Sequence, residues 1–204
     1  MTDPLYPLLA VARLRMGTDG KGITTLVAGA GCPLSCRFCI NRKLLLEAKP
    51  EMVSPRELYN RVKIDNLYFQ ATGGGITFGG GEALLHAAFI SHFRQICPKE
   101  WRICAETSLC VHGDLLKMAL SSVDEFIVDC KDLDESRFHA YTGGDGRQMS
   151  ENLIYLLEKA GPGRVHIRVP LIPGYNTLYD RQDSIRILRE MGFTRIEPFE
   201  YIVK

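Results

Sequence analysis

Residues 101–129 decide the fold. Trp101-Arg102-Ile103-Cys104-Ala105 is a short apolar run, Gly113 to Leu120 has helical spacing, and Glu125-Phe126-Ile127-Val128-Asp129 is a second apolar run. Two such runs joined by a helical stretch read as strand, helix, strand. Strands joined in this way lie parallel, with the helix crossing over on a right-handed path.

The same rhythm continues in both directions. Upstream, Ile23-Thr24-Thr25-Leu26-Val27-Ala28 is β-branched and bounded by Gly22 and Gly29, a strand pattern. Ser54-Pro55-Arg56-Glu57 joins an N-cap Ser, a Pro at the first helical position and a Glu that closes a capping box, which predicts a helix to about Asp65. Gly75-Ile76-Thr77-Phe78 is a short strand between glycine clusters, and Glu82 to Ile96 is helical, with Leu85, Phe89 and Phe93 four apart. Downstream, Met149 to Lys159 and Asp180 to Met191 are helical, Arg164 to Val169 alternates as a strand, and Arg195 to Phe199 is a sixth strand that Pro198 moves towards an edge. Six strands alternating with helices predict an α/β fold, an open (β/α)6 partial barrel of parallel strands, two units short of a closed eight-fold barrel.

Composition narrows the class. The chain has 204 residues, 46% hydrophobic and 24% charged, which suits one globular domain and excludes a disordered or fibrous chain. Lys plus Arg is 25 and Asp plus Glu is 24, so the net charge of +1 gives no field for nucleic acid or an anionic membrane. The apolar stretch Leu8 to Ala12 has no basic segment before it and no small-residue cleavage site after it, so no signal peptide is expected and the location expected is cytoplasmic. Seven cysteines, an odd number, fit a reducing compartment better than a disulfide framework. Cys97, Cys104, Cys110 and Cys130 are scattered singly and read as small buried hydrophobes.

Cys32, Cys36 and Cys39 do not fit that description. Their spacing, Cys-x3-Cys-x2-Cys, lies on a loop directly after a strand, where parallel α/β sheets bind ligands. Three thiolates within eight residues can wrap a soft metal centre. A zinc site would need a fourth ligand, and no Cys or His follows until His86. An iron–sulfur cube held by three Cys instead keeps one iron open. The glycine-rich run Gly73 to Glu82 ends in Glu-Ala where a phosphate-binding loop requires Lys-Ser/Thr. A carboxylate beside closely approaching backbone suits a ligand carrying a cationic amine. Further polar residues, Glu106-Thr107, Asp129, Lys131 and Arg168, fall at successive strand ends. The plain alternative for the charges is surface ion pairing of Lys131 with Asp132 and Arg168 with Glu197.

The run Cys32-Pro33-Leu34-Ser35-Cys36-Arg37-Phe38-Cys39-Ile40-Asn41, with Gly74-Gly75-Ile76-Thr77-Phe78-Gly79-Gly80-Gly81-Glu82-Ala83, resembles the radical S-adenosylmethionine (SAM) superfamily. Gly17 to Ile23, Asp129 to Asp132, His139 to Gly143, Glu151-Asn152-Leu153 and Ile167 to Gly174 narrow the resemblance to the activating enzymes of glycyl radical enzymes. The resemblance covers nearly the whole chain and implies one radical SAM domain over residues 1–204. It implies that Cys32, Cys36 and Cys39 hold one 4Fe–4S cluster whose open iron is chelated by SAM. It further implies that Gly80, Gly81 and Glu82 meet the methionyl amine and that Phe38 packs near the adenine. Asp129 and Lys131 would help to hold the ribose and carboxylate, and Arg168 the carboxylate. Glu106 and Thr107 would form a polar pair near the cofactor, with room for a monovalent cation. The implied activity is reductive cleavage of SAM to a 5′-deoxyadenosyl radical that takes a glycine Cα hydrogen from a partner glycyl radical enzyme. The implied electron source is a reductant of flavodoxin or ferredoxin type, and the setting is anaerobic. No catalytic acid or base is required.

Two other classes stay open at this level. One is a compact radical SAM enzyme acting on a small molecule or peptide, like the 7-carboxy-7-deazaguanine synthases; the other is a metal-binding or electron-transfer module without catalysis. Lys21, Thr24, Ile40 and Ile202 replace a Pro, an Arg and two His usual in the activating enzymes, and the chain ends at Lys204 where most relatives continue. These differences bear on the substrate more than on the radical chemistry.

Overall fold

A computed structural model describes residues 3–201; Ile202 and Lys204, named above, lie outside them. The strands are β1 (Tyr6–Met16), β2 (Ile23–Gly29), β3 (Glu51–Val53), β4 (Gly75–Gly80), β5 (Arg102–Thr107), β6 (Glu125–Asp129), β7 (Val165–Leu171) and β8 (Ile196–Glu200). The helices are α1 (Arg42–Glu47), α2 (Pro55–Val62), α3 (Asn66–Thr72), α4 (Ala87–Ile96), α5 (Gly113–Ala119), α6 (Glu135–Thr142), α7 (Gly146–Ala160) and α8 (Leu178–Met191). All strands join one sheet in the order β3-β1-β2-β4-β5-β6-β7-β8. The six expected strands, β2 and β4 to β8, pair in parallel, and Pro198 does lie in the edge strand β8. The sheet is open, as expected.

Two strands were not foreseen. β1 runs antiparallel to both β2 and β3 and extends the sheet beyond the parallel set. Its register shifts twice, between Leu8 and Ala10 and between Ala12 and Arg15, and Leu14 takes a left-handed φ of 55° there. Those bulges break the alternation that would have marked it as a strand.

Strand alternation divides the side chains between two faces. Ile76, Phe78, Ile103, Phe126, Val128, Val165, Ile167 and Val169 belong to the apolar core that the helices cover. Leu58 and Val62 of α2, Phe89 and Phe93 of α4, Leu116 of α5, and Leu153 and Leu156 of α7 close that core. The expected capping box starts α2: Glu57 N–H donates to Ser54 Oγ at 3.3 Å, and Ser54 N–H to Glu57 Oε2 at 2.7 Å. The residues between the core positions, among them Thr77, Cys104, Glu106, Asp129 and Arg168, occupy the other face.

Half of the glycine-rich run has a structural job. Gly73 ends α3 with φ 66°, a left-handed cap. A Cβ on Gly74 would stand 1.9 Å from the Ile23 carbonyl oxygen, and one on Gly75 2.1 Å from that of Arg102. These glycines let the N-terminal ends of β2, β4 and β5 approach, at the end of the sheet away from the cysteine loop. Among the described residues no helix is long and apolar enough to cross a membrane.

Candidate cofactor site at the strand ends

The cysteine loop follows β2 and is pinned from two sides. From one side, Ser35 N–H donates to the Thr142 carbonyl at 2.8 Å, and Arg37 N–H to that of Tyr141 at 3.2 Å. Thr142 ends α6, and Gly143 caps that helix with φ 70°. From the other side, Gly81 N–H donates to the Gly29 carbonyl at 3.0 Å, and Glu82 N–H to that of Gly31 at 2.8 Å. Asn41 Nδ2 donates to the Gly80 carbonyl at 2.8 Å. The Gly80-Gly81-Glu82 turn after β4 thus borders the loop that carries the thiols.

The thiols are free, Cys32 exposed and Cys36 and Cys39 half-buried. Desolvation raises the Cys32 pKa to about 11, with Glu82, Cys36 and Cys39 pushing the same way. Burial raises that of Cys36 too, against the pull of Lys131, and Cys39 adds to the rise. Cys32 and Cys36, whose ionisation burial and neighbouring thiols oppose, belong to a donor set that a positive centre would relieve, and a thiolate-bound metal requires that ionisation. The donor set therefore fits an iron–sulfur cluster. Among the described residues no three His, Cys, Asp or Glu side chains stand together as a metal-binding group. The site is identified by its donors and its position, not by a preformed geometry. The remaining four cysteines are buried, as expected.

Glu82 is 3% exposed, and its carboxylate is surrounded by donors. Ser108 donates its N–H and its hydroxyl to Oε2 at 2.9 and 2.7 Å, and Leu84 N–H reaches Oε1 at 3.1 Å. Burial raises the Glu82 pKa, while these donors and the Thr107 hydroxyl oppose the rise. The carboxylate clasps the turn after β4 to the turn after β5. Thr107 therefore joins Glu82, while its neighbour Glu106 joins a second group.

That second group lies along the ends of β5, β6 and β7. Arg168 Nη1 is 3.1 Å from Glu106 Oε1 and 3.8 Å from Asp129 Oδ1. Lys131 Nζ donates to Asp129 Oδ2 at 3.0 Å and to the Tyr201 hydroxyl at 2.7 Å. Burial pulls the Lys131 pKa down, but Asp129 and Tyr201 hold the ammonium above its ordinary range. Burial likewise opposes the Arg168 charge, and Glu106 and Asp129 overcome it. Neither plain ion-pair alternative holds: Asp132 pairs with Arg137 at 3.0 Å, and Glu197 lies 3.0 Å from His166.

Two buried polar atoms here have no hydrogen-bond partner among the described residues, Asp129 Oδ1 and the Tyr141 hydroxyl. Buried polar atoms are rarely left so. Tyr141 belongs to an aromatic group with Phe38 and Tyr175, each 6.1 Å or less from the next ring centroid, and Tyr201 stands 6.0 Å from Tyr141. Phe38, between the second and third cysteines, thus ties the loop to this group. Sequence reasoning missed Ser108, Tyr141, Tyr175 and Tyr201 as neighbours of the site. Ser108 and Tyr201 did stand just past strand ends, and Tyr141 within the His139 to Gly143 run, but nothing in the sequence marked Tyr175.

Over residues 26–186 the chain matches the family model of the Radical SAM superfamily. It is 30% identical over 171 residues to a pyruvate formate-lyase-activating enzyme of Clostridium pasteurianum, covering 83% of this chain and 69% of that protein. It is 31% identical over 232 residues to a choline trimethylamine-lyase activating enzyme of Oleidesulfovibrio alaskensis, covering 84% and 73%. Among solved structures, Streptococcus suis SuiB superposes with a TM-score of 0.66 at 14% identity, over 88% of this chain and 40% of that one.

Proposed function

The chain belongs to the radical SAM superfamily, whose members carry a 4Fe–4S cluster and SAM, and on that premise we propose that it is an activase that installs a glycyl radical on a partner enzyme. When bound, the cluster and SAM supply a 5′-deoxyadenosyl radical able to take hydrogen from a glycine Cα. The residues of this chain bind, orient and shield.

In this reading Cys32, Cys36 and Cys39 hold the cluster. Gly80, Gly81 and Glu82 receive the methionyl amine; the buried Glu82 charge favours a cation beside it and is itself fixed by Ser108 and Leu84. Lys131 and Arg168 offer cations to the SAM carboxylate. Asp129 keeps Oδ1 for a ribose hydroxyl, and that orphaned buried oxygen is the observation that carries the reading. Phe38 packs near the adenine, and Tyr141 and Tyr175 beside it keep water from that side. Glu106 and Thr107 stand nearby, but a monovalent cation at Glu106 would compete with Arg168. An open sheet leaves room for a backbone loop of a protein substrate, and the electron would come from a reductant of flavodoxin or ferredoxin type.

The test is anaerobic. Protein reconstituted with iron and sulfide is mixed with SAM, a reductant and a candidate enzyme that has a C-terminal glycyl-radical motif. The expected result is a stable glycyl radical signal by electron paramagnetic resonance, lost when Cys32, Cys36 or Cys39 is changed to Ser. Formation of 5′-deoxyadenosine without that signal on any candidate would turn the reading towards a small-molecule or peptide substrate. A colourless protein that takes up no iron would end it.

A further inference from the structure

Leu109 is one of two non-glycine residues with positive φ among the described residues, at 59°. Unlike Leu14 it is completely buried. For a leucine that conformation costs about 1–2 kcal/mol against the usual helical or extended forms. Something must hold it.

The holder is Asn152, which lies 43 residues away on α7. Its Nδ2 donates to the Leu109 carbonyl at 2.9 Å and to the Val111 carbonyl at 2.7 Å. Asn152 is 7% exposed, on a helix face otherwise formed by Met149, Leu153 and Leu156. A buried amide in such a stripe needs partners, and both of its donor hydrogens go to this one turn.

The turn uses that fixed shape. Leu109 N–H donates back to Thr107 Oγ1 at 2.9 Å, and Cys110 N–H to Ser108 Oγ at 3.3 Å. The Ser108 N–H and hydroxyl are thereby aimed at Glu82 Oε2. If Leu109 relaxed to an ordinary φ, the chain direction at Ser108 would change and its grip on Glu82 would go.

We infer that Asn152 is a positioning residue: it holds the Thr107–Val111 turn in the strained form that clasps Glu82, and through Glu82 it sets the Gly80-Gly81-Glu82 turn. The consequence for SAM rests on the function proposed above; the clasp itself does not.

The experiment uses Asn152→Ala, Leu109→Gly and the double variant, with two readouts. In the unloaded chain, amide hydrogen exchange reports Ser108 and Leu109. In reconstituted protein, equilibrium binding reports SAM. Asn152→Ala is expected to deprotect both amides and to weaken SAM binding about tenfold, the size of one lost buried hydrogen bond. Leu109→Gly adopts φ 59° without strain. Added to Asn152→Ala it is expected to restore the Ser108 protection and most of the SAM affinity, while lowering the melting temperature through loss of a buried side chain.

Recovered binding in a less stable protein is a pattern that a merely structural Asn152 would not give. Protected amides in Asn152→Ala, or no recovery in a folded double variant, overturn the inference. Should the double variant not fold, Asn152→Ala is combined with Ser108→Ala. Non-additive losses of SAM affinity support the inference and additive ones overturn it. If the parent protein itself binds no SAM, the function fails and the exchange data alone decide the clasp.

Discussion

Gly81→Ala tests whether the Gly-Gly-Glu turn and the cysteine loop are one structural unit. A Cβ at Gly81 would lie 2.1 Å from the Gly31 carbonyl oxygen and 3.0 Å from that of Gly29. Both obstacles are backbone, so no side chain can swing aside. Restoring an ordinary carbon–oxygen contact requires the two segments to part by about 1 Å. That separation stretches the Gly81-to-Gly29 and Glu82-to-Gly31 hydrogen bonds, now 3.0 and 2.8 Å. Two such bonds are worth about 0.5–1.5 kcal/mol each, and overpacking adds ~1–3 kcal/mol, so the expected loss is about 2–6 kcal/mol. That is a large share of the ~5–15 kcal/mol that holds a typical domain. Urea unfolding of the unloaded chain measures it, and iron uptake on reconstitution reports whether the displaced Gly31 carries Cys32 out of place. Gly163→Ala is the control: nothing lies within 4 Å of its added Cβ, so the change should be under about 1 kcal/mol. A Gly81→Ala protein that unfolds within about 0.5 kcal/mol of the parent and takes up iron normally would refute the reasoning.

Three further expectations concern charge and capping. Burial raises the Glu106 pKa from 4.5 to about 7, Arg168 opposing and Asp129 and Asp19 adding to the rise. Between those values the folded chain keeps a proton that the unfolded chain has released, so stability falls as pH rises through that window, by at most ~3 kcal/mol. Glu106→Gln should flatten the urea-unfolding profile between pH 5 and pH 8, and parallel profiles would contradict the assignment. Glu125 is completely buried, 3.0 Å from Arg102 and 2.7 Å from Arg195. Glu125→Gln should cost about 2–4 kcal/mol by urea unfolding, below the fully buried range because both guanidiniums reach water; an effect under about 1 kcal/mol would show the pair to be idle. Ser54→Ala removes the α2 cap and should cost about 1 kcal/mol, a melting shift of ~2–4 °C by calorimetry; no shift would mean that the capping box contributes nothing.

The parallel strands were legible because each carries an apolar run or an apolar–polar alternation, and so was the cysteine loop, because its donors lie within eight residues of one another. Partner choice was not legible. Lys131 pairs with Asp129 rather than Asp132, and Arg168 with Glu106 rather than Glu197, although Arg168 and Glu197 are Cα partners across β7 and β8. Which charges meet depends on sheet register and twist, which a linear sequence does not display. The sequence places the whole glycine-rich run beside a ligand, yet Gly73 caps α3, and Gly74 and Gly75 serve strand packing at the opposite end of β4. Asn152 did leave a trace, as a polar residue inside the Met149, Leu153, Leu156 stripe. An interrupted apolar face is a signal only when its partners are sought on distant segments.

An incomplete barrel also leaves an interior that closure would otherwise fill with layers of strand side chains. Here the β1–β2 connection, Gly17 to Gly22, enters that space from the N-terminal ends of the parallel strands. Gly20 has φ 113°, and a Cβ on it would come within 2.8 Å of Cys104 Sγ. The Thr77 hydroxyl donates to the Asp19 carbonyl, Arg15 pairs with the buried Asp19 carboxylate, and Arg168 donates to the Thr18 carbonyl. Arg168 is thus held at both ends of its guanidinium, by the floor loop through Nη2 and by Glu106 through Nη1. A long cationic side chain bound in this way loses little further rotamer freedom when an anion arrives. The segment Gly17-Thr18-Asp19-Gly20 therefore braces this group from below: Gly20 admits backbone into a narrow interior, and the Thr18 carbonyl fixes one end of the arginine.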